Sequence, residues 1–130
     1  MSGKLLLDTN AILGLLKGQP SITALLESAE TDVLYASVIT RMELLSFPGI
    51  TPEEEKHIRD FLDDEVSIIP LNTEIEDTAI RLRRATRHKI PDAVVAASAI
   101  AAKAVLVTCD RELAETVFPG LVTRCPDSPV

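Results

Sequence analysis

The sequence predicts an α/β fold: a parallel sheet of four to five short strands flanked by helices, in three layers. Three observations predict it. Short apolar stretches alternate along the chain with longer segments of helical periodicity, the pattern of strand–helix–strand units. The first of these stretches, KLLL, is apolar without alternation, as expected of a strand buried on both faces. Hydrophobic residues make up 46% of the 130 residues and aromatics only 3%, so the core must be built from Leu, Ile, Val and Ala. A chain of this length suits a single domain, residues 1–130, with a loose tail from about residue 124.

Each element has a local reason. Lys4 to Leu7 is the first strand, and Asn10 to Lys17 a short helix closed by Gly18. Pro20 to Glu30 is a second helix with proline at its start. Val33 to Ala36 is a strand; Ser37 then opens a helix to Phe47, which Pro48-Gly49 stops. Thr51-Pro52 starts the next helix, Glu53 to about Asp64, and Val66 to Ile69 is a strand ended by Pro70. Thr73 to about His88 is a long helix capped by Asn72 or Thr73. Pro91 begins an Ala-rich helix to Lys103, Val105 to Val107 is a strand, and Asp110 caps a short helix to Glu115. Leu121 to Thr123 is the last candidate strand.

The net charge of −7 argues, in bulk, against a nucleic-acid ligand. Cys109 and Cys125 form neither a C-x-x-C pair nor a disulfide framework, which fits a reducing compartment. The most apolar stretch, Ala93 to Val107, contains Lys103 and is too short to span a bilayer. The protein is expected to be soluble and cytoplasmic, with no membrane.

Four carboxylates stand out by position. Asp8 ends the first strand, and Glu43 lies on the helix after the second. Asp92 follows Ile90-Pro91, and Asp110 ends VLVTCD. At 100° per residue, Val38, Ile39, Met42 and Leu45 form one apolar stripe, with Glu43 about 40° beyond Ile39, on its border. Singly, each acid has an ordinary structural reading: Asp8, Asp110 and Asp92 suit helix N-termini, and Glu43 could pair with a cation. Together they all project to the carboxyl edge of the sheet, where such folds bind ligands. Two carboxylates about 4 Å apart repel by roughly 4 kcal/mol at an effective dielectric near 20. Their convergence therefore needs protons or cations, and oxygen donors without His or Cys select Mg²⁺ or Mn²⁺. Such ions at an open edge suit phosphodiester hydrolysis.

The blocks LLLDTNAIL, S-x-x-T-x-x-E-L at Ser37 to Leu44, IPDAVVAASA and LVTCD together resemble the PIN domain, more narrowly a VapC-type toxin, from Leu5 to about Leu113. The resemblance implies a sheet of order 3-2-1-4-5 and a Mg²⁺- or Mn²⁺-dependent single-strand ribonuclease. It implies that Asp8, Glu43 and Asp92 hold metal, with Asp110 contributing directly or through water. Thr9, Asn10 and Thr108 match positions that line the site. It also implies a homodimer silenced by a cognate antitoxin. Many relatives carry a further acid where Leu113 stands here, so one tight metal and at most a weak second are expected.

Charge is uneven along the chain. Glu53, Glu54, Glu55, Asp60, Asp63, Asp64 and Glu65 crowd one helix. Arg81, Arg83, Arg84, Arg87 and Lys89 form a stretch without acids that leads into Asp92, a candidate contact for RNA or antitoxin. With only Tyr35, Phe47, Phe61 and Phe118 as aromatics, backbone recognition is expected over base stacking. Two rival functions remain: a PIN-fold binding module with weak activity, and an aspartyl-phosphate phosphatase using Asp8. The second is disfavoured because Asn10 stands where an aspartate would be needed and Lys103 is mid-helix.

Overall fold

The computed structural model describes residues 3–28 and 30–126. The elements in order are β1 (Lys4–Leu7), α1 (Thr9–Leu16), α2 (Pro20–Ser28), β2 (Val33–Ser37), α3 (Val38–Leu45) and α4 (Pro52–Glu65). They continue with β3 (Ser67–Ile69), α5 (Thr73–Thr86), α6 (Ile90–Ala102), β4 (Val105–Val107), α7 (Arg111–Ala114) and β5 (Thr123–Arg124). The strands pair in parallel in the order β3-β2-β1-β4-β5. β1 is central, so its apolar run is covered on both sides.

Strand alternation divides the core in two. Leu6 and Leu106 join Ile75, Leu82 and the alanines of α6 on one face. Leu5, Leu7, Val105 and Val107 join Ile12, Leu44, Ile58 and Leu62 on the other. The Ala-rich α6 is a buried helix: every residue from Ala93 to Ala99 is buried. Small side chains let it lie close to the sheet and to α5.

Most expected elements are present, and the shifts have local causes. The Asp8 side chain caps α1, so that helix begins at Thr9, one residue before Asn10. Ser37 ends β2 and caps α3 through its hydroxyl. The helix expected to reach Glu30 is seen to Ser28, and Glu30 has a left-handed φ of 49°. Asn72, not Thr73, caps α5, which ends at Thr86 with Arg87 in the left-handed region. β5 is Thr123–Arg124 rather than Leu121 to Thr123, set by pairing with Leu106 and Val107. Of the tail expected to be loose, Arg124 is thus in the sheet, and residues 127–130 lie outside the described residues.

The apolar stripe expected on α3 is corrected. Met42 is 59% exposed, while Thr40 and Leu44 are fully buried. The helix is therefore rotated relative to the stripe, and Thr40 goes inward because hydropathy alone undervalues a small β-branched residue. Glu43 still reaches the sheet edge, through a side-chain bond described below. No helix among the described residues is long and apolar enough to cross a membrane.

Candidate active site

Four separate segments bring one acid each to the carboxyl edge of the sheet: two follow strands and two stand on helices. Asp8 directly follows β1; its Oδ1 accepts from the Ala11 N–H at 2.8 Å, and its own N–H donates to the Val107 carbonyl at 3.2 Å. Asp110 follows β4 and caps α7, with a 3.4 Å bond from the Leu113 N–H. Asp92 stands in the first turn of α6, where Pro91 needs no N–H partner. Glu43, on α3, accepts a 2.5 Å bond from the Thr9 hydroxyl. Asp8 and Asp110 thus do cap helices, and the same two carboxylates also border a common cleft.

All four carboxylates line one open cleft of about 470 Å³, together with Thr9, Asn10 and the exposed ring of Phe47. Thr108 does not line it. That residue is fully buried behind the acids, and its hydroxyl accepts from the Asp110 N–H at 3.0 Å.

The acids feel one another. Burial pushes the Asp8 carboxyl above its ordinary value, with Asp110 and Asp92 adding repulsion; the Thr108 hydroxyl and the Ala11 N–H pull the other way. Asp92 is also raised, first by burial, then by Asp110 and Glu43, against the pull of His88 and Lys89. Among the described residues no three carboxyl, imidazole or thiol groups are gathered tightly enough to form a finished metal cage. The arrangement is a set of hard oxygen donors around one open cleft, its negative charge relieved only in part by Thr108, the Ala11 N–H, His88 and Lys89.

A second cleft adjoins the first and shares Asp92 and Asp110. Of the five basic residues singled out from the sequence, Arg87 and Lys89 line it. The others do not line either cleft: Arg81 bonds the Thr78 hydroxyl at 3.3 Å, Arg83 bonds the His88 carbonyl at 2.8 Å, and Arg84 is exposed. Helical periodicity could not separate them, because the chain leaves the helix at Arg87. Sequence reasoning also missed Leu13, Ser46, Phe47, Pro48 and Val95 in the acid cleft. The Phe47-Pro48-Gly49 stop was a usable signal, since it limits α3 to 8 residues and so keeps the helix end within roughly 12 Å of its start.

A parallel sheet of this order, with four acids from separate segments around a cleft at its carboxyl edge, defines an α/β domain with an acidic edge site. The sequence matches the PIN domain family over residues 5–119, and the chain belongs to that family. No curated protein matches it significantly. Solved structures do. A chain of a toxin–antitoxin complex from Klebsiella pneumoniae is 28% identical, with a TM-score of 0.77 over 92% of this chain and 96% of that one. A chain of VapBC2 from Rickettsia felis bound to a promoter DNA fragment is 23% identical, with a TM-score of 0.78 over 94% and 98%. A chain of DNA-bound VapBC from Salmonella typhimurium is 22% identical, with a TM-score of 0.78 over 97% and 99%.

Proposed function

We propose that the chain is a Mg²⁺- or Mn²⁺-dependent single-strand endoribonuclease, the toxin of a toxin–antitoxin pair. It acts in the cytoplasm as a homodimer and is silenced by a cognate antitoxin. The observation that carries this reading is the convergence of Asp8, Glu43, Asp92 and Asp110 on one open cleft. Family membership and the likeness to a chain of the Klebsiella complex support it.

The donor set fits a hard divalent ion. Mg²⁺ is commonly held by one or two carboxylates and keeps several waters, so an open cleft suits it better than a closed cage. Asp8, Glu43 and Asp92 would hold the ion, with Asp110 direct or through water; a second ion would be weaker, since Leu113 is buried and apolar. Bound there, a divalent ion lowers the pKa of water and neutralises charge developing on a phosphodiester.

The chain's own residues prepare for this. Capping α1 fixes the Asp8 carboxylate before any ligand arrives. Thr9 fixes Glu43 across the cleft. Thr108 anchors the start of α7 and so the position of Asp110. These restraints settle the donors in advance, which lowers the reorganisation needed at the reacting phosphate.

Labelled single-stranded RNA incubated with the protein and Mn²⁺ tests the reading. Cleavage is expected, and EDTA or Asp8→Asn is expected to abolish it. Cleavage unchanged by both treatments would mean a contaminating nuclease and end the proposal.

A further inference from the structure

We infer that the second cleft is a subsite for a phosphate of the RNA strand flanking the scissile one, with Arg87 and Lys89 as its cations. This rests on the ribonuclease reading and deepens it.

The second cleft, about 630 Å³, has two walls. The connection from α5 to α6 supplies Arg87, His88 and Lys89, and α7 with its exit supplies Glu112 and Thr116. Asp92 and Asp110 belong to both clefts, so a strand whose reacting phosphate lies at the acids can pass its next phosphate into this one without leaving the surface. The acid cleft has no arginine or lysine in its lining, whereas this cleft has two, Arg87 and Lys89. A polyanion crossing four carboxylates needs such a foothold beside them.

The backbone at Arg87 supplies a way to separate binding from folding. Two helices end on non-glycine residues with left-handed φ, Arg87 at 67° and Lys103 at 55°. Lys103 lines neither cleft, but Arg87 does. Glycine would take this conformation without strain, so Arg87, like Lys103, carries a small backbone cost that Arg87→Gly would relieve.

The wall is also braced. Arg83 donates to the His88 carbonyl, making it a positioning residue. His88 Nε2 lies 2.6 Å from the Thr116 hydroxyl, which bonds the Glu112 carbonyl at 2.9 Å. A carbonyl can only accept, so the single hydroxyl proton goes to it and His88 Nε2–H donates to Thr116. The bridge ties the cationic wall to α7.

The test uses binding of fluorescein-labelled single-stranded RNA by the Asp8→Asn protein in Mg²⁺ across a salt series. Adding Arg87→Gln and Lys89→Gln should weaken binding at low salt by on the order of tenfold and flatten the log–log salt slope by about 0.7, as for one neutralised phosphate. A control with Lys56→Gln and Arg59→Gln removes the same charge from α4 and should change neither. Arg87→Gly separates binding from folding: it should raise Tm while weakening RNA binding. Parent-like binding and slope in the Arg87/Lys89 variant overturn the subsite. So does an equal effect in the control. The ribonuclease reading stands or falls separately, on Mn²⁺-dependent cleavage.

Discussion

The Thr9 hydroxyl donates to the Glu43 carboxylate, joining the first turn of α1 to α3 across 34 residues of sequence. Neither residue needs the other for its own helix. The bond instead sets where Glu43 stands relative to Asp8, the residue before Thr9.

Thr9→Val removes that bond and keeps the side chain's shape. The contact is exposed, so stability should change by under about 1 kcal/mol. RNA cleavage should fall by roughly tenfold to a hundredfold, as expected when a ligand-holding group is free to wander. Thr9→Ser should restore most of it. Steady-state cleavage with thermal melts decides; full activity in Thr9→Val would mean the bond is incidental.

Asp8 and Asp92 are both held above their ordinary value in the fold. The folded state therefore binds their protons more tightly than the unfolded chain does. Their contribution to stability is fully present below the ordinary value of 3.8 and is lost as pH rises through the raised values. In EDTA, Asp8→Asn with Asp92→Asn should melt higher than the parent at pH 7, because asparagine keeps the α1 cap without the charge. The gap should shrink toward pH 4. A variant that melts lower at pH 7 would show the carboxylates to be structural.

Gly3 and Gly14 separate rigid from yielding neighbours. A Cβ on Gly3 would overlap the Glu30 carbonyl and lie 2.7 Å from the Asp32 nitrogen, both backbone. Gly3→Ala should therefore cost about 1–3 kcal/mol in chemical denaturation. On Gly14 the Cβ would meet only the side-chain ends of Ile22, at 2.5 Å, and Gln19, at 2.6 Å. Those can turn aside, and alanine gains about 1 kcal/mol of helix propensity, so Gly14→Ala should come out nearer neutral. The reverse order would contradict the packing described for the start of β1.

The Thr40 hydroxyl is fully buried without a hydrogen-bond partner. Thr40→Val keeps the branched shape and removes the unmet group, so stability should rise by about 1 kcal/mol. A fall in Tm would reveal a partner for that hydroxyl in solution.

How far the sequence could be read follows from what each signal depends on. Short unalternating strands, prolines at helix starts and the caps Ser37, Asp110 and Asn72 are local, and they placed nearly every element. Asp8, Asp110 and Asp92 were legible because strand ends and first helical turns fix direction whatever the packing; Glu43, in the second turn of α3, was read from helical angle and is held by its bond to Thr9. The face of α3 was not: Met42 and Thr40 exchange places relative to the expected stripe, since tertiary contact rather than hydropathy decides which side of a short helix is buried. The basic stretch was legible only as charge. Its division into Arg87 and Lys89 at the second cleft and Arg83 as a brace depends on the left-handed turn at Arg87, which nothing in the residue type announces. His88 and Thr116 meet across 28 residues, beyond the reach of any periodicity.

Calorimetric titration with Mn²⁺ tests the central claim most directly. The parent protein should take up Mn²⁺ at millimolar concentration or below, and an excess of about a hundredfold over Kd should stabilise it by roughly 2.7 kcal/mol. Asp8→Asn and Asp92→Asn should each lose that uptake while staying folded. No uptake by the parent at millimolar Mn²⁺, or the same uptake after both substitutions, would contradict the claim that these acids share a divalent ion.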